Sequence, residues 1–144
     1  MPTWCINRLT IEGESEDEIR AFKDYIVCKE HSDCGNCMKA IDDGHEEYRH
    51  FSFQSIMPMP NELHGTNPDE EGLNWYTWRY KHWGTKWNLL ELEVVEDSSH
   101  CLQYKFVTAN GVPKPICKTL KSKFPELDII WYFHDDQDDS EGFL

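Results

Sequence analysis

The order of the regular segments along the chain constrains its fold more than any other feature. Four segments have the pattern of strands, since their residues either alternate between apolar and polar or are apolar on both faces. Two further segments repeat apolar residues at helical spacing. Read in order, the chain gives strand 4–12, helix 16–29, strand 88–97, strand 101–108, helix 113–124 and strand 127–133. An α+β fold follows, because strands and helices in this order pair as one antiparallel sheet covered by helices.

The same order is that of a ferredoxin-like βαββαβ unit, with four antiparallel strands and two helices on one face. A long insertion, 31–86, separates the first helix from the second core strand. Within it we expect a short strand over 51–57 and, in the segment 73–87, a helix of about three turns followed by a turn at Gly84. The 144 residues therefore form a single domain over 1–134, followed by an acidic tail, 135–144, that we expect to be frayed.

Several local strings resemble one protein family. They are PTWCINRLTIEG at 2–13, FQSIMPMPNEL at 53–63, WYTWRYKHWGTKWN at 75–88, FVTANGVPKPI at 106–116 and LKSKFPELDI at 120–129. Together they resemble the YubB ferredoxin-like family of small plasmid- and phage-encoded proteins. The chain departs from that pattern at His82, at residues 110–113 and in its shortened C-terminal segment. The resemblance implies the ferredoxin-like fold and a mobile-element origin, and it implies no reaction and no catalytic residues.

One cluster has the residue types of a metal site. Cys34 and Cys37 form a CxxC pair, and further thiol and imidazole groups lie close in sequence. Zinc takes four such ligands in a tetrahedron. Four of five residues would supply them: Cys28, Cys34, Cys37, His45 and His50. The alternative is a loop that carries reduced thiols and surface histidines, so zinc is a possible cofactor and no other is indicated.

A block of aromatic residues is the second candidate. The residues that carry the family pattern are Trp75, Trp78, Trp83, Gly84, Thr85, Lys86 and Trp87. Large aromatic side chains of this kind most often cover a sheet and anchor an insertion, which makes this block a scaffold. Together with nearby cations they could instead stack single-stranded bases.

Acidic residues form the third candidate. The chain has 27 Asp plus Glu against 14 Lys plus Arg, a net charge of −13. Such a charge argues against direct nucleic-acid binding and against an anionic membrane surface. Carboxylates on a rigid face can imitate phosphates, and the alternative is a solvated surface that aids solubility. The expected partner-binding residues are Glu14, Glu16, Asp17, Asp42, Asp43, Glu46, Glu47, Asp135, Asp136, Asp138 and Asp139.

No nucleophile, metalloprotease or dinucleotide pattern occurs in the sequence, so we expect a protein that is not an enzyme. The leading expectation is a cytoplasmic interaction protein of phage or plasmid origin. Its expected partner is a host protein, namely a nucleic-acid-dependent defence effector such as a CRISPR complex. The alternative is a small zinc-stabilised module that binds single-stranded nucleic acid through the aromatic block. The residues do not indicate an oligomeric state.

Overall fold

A computed structural model describes residues 3–27, 50–63, 65–67, 72 and 74–144. The strands in this part of the chain are β1 (Trp4–Glu12), β2 (Leu90–Asp97), β3 (Cys101–Ala109), β4 (Asp128–Asp135) and β5 (Ser140–Phe143). The helices are α1 (Glu16–Ile26), α2 (Phe53–Ile56), α3 (Trp75–His82) and α4 (Lys114–Lys123), with a 3₁₀ turn at Asn61–Leu63. The α+β prediction is confirmed, and each of the six regular segments read from the sequence is present, although the first helix ends at Ile26 and not at the expected residue 29.

The sheet has five antiparallel strands in the order β2-β3-β1-β4-β5. β1 lies at its centre, because it pairs with β3 on one side and with β4 on the other. The expectation of a frayed tail after residue 134 is wrong. β4 continues to Asp135, and Ser140–Phe143 turns back to pair with it. The sheet therefore differs from the expected four strands by one added edge strand.

The helices pack against one face of this sheet. Alternate residues of β1 are buried, so Leu9 and Ile11 join one apolar core with Phe22 of α1 and Leu120 of α4. Burial of such side chains contributes roughly 1.5–3 kcal/mol each. The opposite residues of β1 lie on the other face and are exposed or half-buried.

A buried asparagine connects the three central strands. The Asn7 amide donates to the Cys5 carbonyl at 3.2 Å and to the Thr108 hydroxyl at 3.1 Å. Its oxygen accepts a hydrogen bond from the Trp131 indole at 3.0 Å. These bonds use the polar groups of Asn7 inside the apolar core, where an unpaired group would be costly.

The expected strand over 51–57 is wrong, because Phe53–Ile56 is a single helical turn. The Ser52 hydroxyl accepts from the Gln54 amide at 3.2 Å and caps this turn. The Gln54 side chain bonds the backbone of Met59 in both directions, at 3.0 and 3.3 Å. Four consecutive residues, 51–54, are buried, so no alternation of a half-exposed strand exists here.

The helix expected before Gly84 is present as α3, and with eight residues it is shorter than the expected three turns. It begins after Asn74, whose side chain accepts from the Thr77 amide at 2.9 Å in a capping box. At the start of α1, Ser15 occupies the cap position, and its side chain makes no capping hydrogen bond. Across the residues described, we find no helix with the length and apolarity to cross a bilayer.

Candidate functional site

Acidic side chains from three separate segments meet at one end of the sheet. The end of β1 lies beside the start of β4, where Glu12 pairs in register with Asp128. A groove here is lined by Glu12, Gly13, Glu14, Glu18, Glu126 and Asp128. We call the carboxylates of this region the acidic end: Glu12, Glu14, Glu16, Asp17, Glu18, Glu126 and Asp128.

The carboxylates of the acidic end repel one another. Loss of hydration raises the pKa of Glu18 above its ordinary value, and its hydrogen bond with Glu126 and the charges of Glu126 and Glu14 raise it further. Arg20 pairs with two other members, at 3.1 Å from Glu16 and 3.9 Å from Asp17. These pairs are exposed and contribute little to stability. The acidic end therefore keeps a strong negative charge that faces solvent.

A second acidic cluster lies at the turn between β4 and β5. His134 bridges part of it, with Nε2 at 2.7 Å from Asp139 and Nδ1 at 3.4 Å from Asp136. The hydrogen bond with Asp139 raises the pKa of His134, and the nearby carboxylates add to this effect. Asp138 accepts from the Ser140 amide at 3.0 Å, and its hydrogen bonds with Ser140 lower the pKa of Asp138.

The two acidic clusters are at opposite ends of β1. Cys5 pairs with Asp135 at one end, whereas Glu12 pairs with Asp128 at the other. Cys5 and Glu12 are seven residues apart along the extended strand β1, so the two pairs lie about 24 Å apart. The predicted residues Glu14, Glu16 and Asp17 therefore share no face with Asp135, Asp136, Asp138 and Asp139. The remaining predicted acids, Asp42, Asp43, Glu46 and Glu47, lie outside the described residues.

The expected partner-binding residues left out four members of the acidic end. Glu12 and Glu18 adjoin the predicted acids in the chain, whereas Glu126 and Asp128 do not. The latter two are more than 100 residues from Glu14 in the chain, and no local pattern connects them. The signal that could have found them is strand pairing. Once the first and last strands are placed antiparallel as neighbours, the start of the last strand must lie beside the end of the first.

The predicted metal ligands are almost all outside the described residues, namely Cys28, Cys34, Cys37 and His45. His50 is described and is exposed. Within the described ranges no group of three or more His, Cys, Asp or Glu could hold a metal ion. The zinc site stays a prediction.

The aromatic block packs into the protein. Trp83 is fully buried and donates its indole N–H to the Met57 carbonyl at 2.8 Å, and Trp78 is 8% exposed. The Arg79 guanidinium lies over the rings of Trp75 and Trp83, at 5.1 and 4.9 Å from their centroids. These contacts tie α3 to the core, and they leave Trp78 and Trp83 inaccessible to nucleic-acid bases.

The turn after α3 completes the block. Gly84 has φ +81°, and the buried Thr85 hydroxyl donates to the Trp87 carbonyl at 2.7 Å. The Lys86 ammonium lies over the Trp87 ring at 4.6 Å, and the Lys86 amide donates to the Ala109 carbonyl at 3.1 Å. The turn is thereby joined to the end of β3.

The fold and these clusters define an α+β protein with a five-stranded antiparallel sheet. Helices cover one face of this sheet, and a cluster of carboxylates lies at each end of its central strand. No family model matches the chain, and no curated protein matches its sequence. Among solved structures, the chain is similar to a protein api92 from Yersinia pseudotuberculosis, described as a DUF1281 family protein. The match has a TM-score of 0.61 at 8% identity and covers 99% of this chain and 93% of that one. It shows a shared fold.

Proposed function

We propose that this chain is a non-enzymatic interaction protein that binds a basic surface of a partner protein through its acidic end. The observation that carries the proposal is the convergence of carboxylates from residues 12–18, Glu126 and Asp128 on one exposed groove. Arg20 pairs with two of them on the surface, and loss of hydration together with the neighbouring carboxylates raises the pKa of Glu18. Crowding of like charge destabilises a fold, and a cationic partner would relieve it.

A channel that normally holds nucleic acid is the kind of basic surface that such an acidic end fits. Carboxylates spaced along a rigid edge can replace phosphates, which carry one charge per ~1.7 Å of duplex axis. The proposed partner is therefore a nucleic-acid-dependent host effector. In its specific form, the proposal is that the chain is a phage or plasmid product that binds a CRISPR-type defence complex in the host cytoplasm. This form rests on the YubB resemblance.

The proposal includes a ferredoxin-like unit as the scaffold of the site. Its support is that β2-β3-β1-β4, without the added edge strand β5, run in an antiparallel sheet with α1 and α4 on one face. Membership in the YubB family is proposed on the five local strings quoted above. In this arrangement, α1 follows β1 directly and so presents its acidic first turn at the sheet end.

The test compares two triple variants with the same net charge. Glu14→Gln, Glu18→Gln and Glu126→Gln together neutralise the acidic end. Asp136→Asn, Asp138→Asn and Asp139→Asn neutralise the other cluster, which lies about 24 Å away. Immobilised wild type and both variants are used to capture proteins from an extract of bacteria that carry a CRISPR complex, across 50–500 mM NaCl.

We expect the effector to bind wild type and the Asp triple variant, and to bind the Glu triple variant at least tenfold more weakly. Binding should fall steeply with salt, because exposed charges are screened. Added DNA should compete. Two results would exclude the acidic end as the site. One is effector binding that does not change with salt or added DNA, and the other is binding that is lost only with the Asp triple variant.

The alternative, a zinc-stabilised module that binds single strands through the aromatic block, has less support. Trp78 and Trp83 are used in the core. Its zinc component depends on four ligands from the five candidates Cys28, Cys34, Cys37, His45 and His50. Elemental analysis of the purified chain tests it directly, and a zinc-to-protein ratio near zero would end it.

A further inference from the structure

The face of the sheet opposite the helices contains a groove that neither acidic cluster includes. The groove has a volume of ≈ 520 Å³, a size typical of ligand sites, and strand residues form it. Its lining residues are Arg8, Leu9, Thr10, Val95, Gln103, Tyr104, Lys105, Ile130, Tyr132 and Phe143. We call it the open-face groove.

The residues that line the open-face groove carry two positive charges, Arg8 and Lys105, and Glu93 of the edge strand β2 lies in register with Lys105. None of its lining residues in the described part of the chain is Asp or Glu, although the chain has 27 of them. Arg8 and Lys105 pair directly in register on β1 and β3. Like charges placed opposite each other destabilise a sheet. Among the described ion pairs, none involves Arg8 or Lys105.

Two aromatic rings continue the line of these cations. Arg8 is in register with Tyr132 on β4, and Tyr132 is in register with Phe143 on β5. The rings of Tyr132 and Phe143 meet edge to face at 5.6 Å, and the Tyr132 hydroxyl donates to Glu141 at 2.6 Å. Phe143 is 71% exposed, although large apolar side chains are usually buried.

The resulting row Lys105–Arg8–Tyr132–Phe143 crosses four neighbouring strands. Strand spacing of about 4.8 Å makes it about 14 Å long, with cations at one end and aromatic rings at the other. Beside it, Thr10 and Gln103 pair in register and offer hydrogen-bonding groups to the groove. Exposed Ile130, in register with Thr10, adds an apolar contact.

We propose that the open-face groove binds a short single-stranded nucleic-acid segment. Phosphates would contact Lys105 and Arg8, and bases would stack on Phe143 and Tyr132. This combination of a cationic groove with stacking rings is what sequence-tolerant single-strand binding requires. An acidic peptide would satisfy the cations and leave the rings unused. A duplex keeps its bases stacked inside the double helix and offers no free base face to the rings.

The experiment is fluorescence anisotropy of labelled dT12 and U12 with the full-length protein at 25 mM salt. Wild type is compared with Arg8→Gln/Lys105→Gln and with Phe143→Ala. The matched control is Lys114→Gln/Lys118→Gln, which removes two charges from exposed positions of α4. Circular dichroism and thermal unfolding establish that each variant is folded. A poly-Glu peptide and a DNA duplex are the competitor probes.

We expect Arg8→Gln/Lys105→Gln and Phe143→Ala each to weaken oligonucleotide binding at least fivefold, and the α4 control to leave it within twofold. Two neutralised phosphates predict a shallow salt dependence, with a slope near −1.4 in log K against log salt. Equal loss with the α4 control, no effect of Phe143→Ala, equal competition by poly-Glu, or no binding by wild type would each overturn the proposal. The Glu triple variant should retain oligonucleotide binding, which separates this test from that of the acidic end.

Discussion

Two glycines allow the turn after α3 and the loop after β3 to touch through their backbones. A Cβ atom on Gly84 would lie 2.6 Å from the Val112 carbonyl oxygen and 2.9 Å from Pro115. A Cβ on Gly111 would lie 2.2 Å from the Gly84 carbonyl oxygen. Real Cβ atoms do not approach backbone so closely. The contact therefore requires glycine on both sides, and it fixes the end of the aromatic block against the start of α4.

Gly84→Ala should destabilise the protein by about 2–4 kcal/mol, because the left-handed backbone costs ~1–2 kcal/mol for alanine and the clash adds to it. Urea denaturation followed by circular dichroism measures the change. Gly65→Ala is the matched control, since Gly65 has a similar φ of +77° with nothing within 4 Å of its Cβ position. Gly65→Ala should lose only the free energy of unfolding that the left-handed backbone costs an alanine. Equal losses for the two variants would contradict the proposed backbone contact.

Among the elements, β5 has the largest effect on the shape of the sheet edge. It pairs residue by residue with the second half of β4, and the Leu144 amide donates to the Trp131 carbonyl at 2.9 Å. The second half of β4 therefore lies inside the sheet. The face of β4 opposite the helices is uncovered, and Ile130 on that face is 45% exposed. At the other edge, β2 is irregular, with Glu91 at φ +54° and two shifts of register against β3. Such irregularity discourages edge-to-edge association.

Deleting residues 140–144 should lower the free energy of unfolding by about 2–4 kcal/mol, from several backbone bonds worth ~0.5–1.5 kcal/mol each. It should also promote aggregation, because β4 becomes a regular exposed edge. Urea denaturation and light scattering measure the two effects. Glu141→Gln keeps the strand and an acceptor for the Tyr132 hydroxyl, and should change stability by less than about 0.5 kcal/mol. A truncated chain as stable and as monodisperse as wild type would show that β5 is dispensable.

Across the whole molecule, charge is sorted by place. Acid collects at both ends of the central strand, whereas Arg8 and Lys105 occupy the middle of the open face. Most of the shifted groups have raised pKa values: Glu18 through loss of hydration and then its acidic neighbours, His134 through its hydrogen bond with Asp139, and Cys5 to about 11 chiefly through burial. A raised pKa means that the folded state binds the proton more tightly than the unfolded state, so stability is lost as pH rises through the shifted range.

Glu126→Gln should raise the melting temperature at pH 7, because it removes the carboxylate that repels Glu18. The gain should shrink as pH falls below the raised pKa of Glu18 towards its ordinary value of 4.5, where the Glu18 carboxyl becomes protonated. Thermal unfolding from pH 8 to pH 4 measures this. The control is Asp24→Asn, which removes one charge from α1, the helix that also contains Glu18. A gain that is the same at every pH, or that Asp24→Asn reproduces, would contradict a specific Glu18–Glu126 contact.

The amino-acid sequence by itself determined the six regular segments and the α+β class, because apolar periodicity and turn residues act over a few neighbouring positions. It also placed Trp75, Trp78, Trp83 and the turn at Gly84 as one block. It failed at Phe51–Met57, where burial of consecutive residues overrides strand alternation, and at the tail, where four residues form a strand only because β4 offers an edge.

The tertiary structure alone decided which distant side chains meet. The register of β1 with β4 brings Glu126 and Asp128 to the first turn of α1, and the same pairing keeps Asp135 at the far end. The row from Lys105 to Phe143 likewise exists only across four paired strands. Local pattern fixes which face of a strand a residue occupies, whereas register fixes its neighbours, and register depends on contacts between residues far apart in the chain.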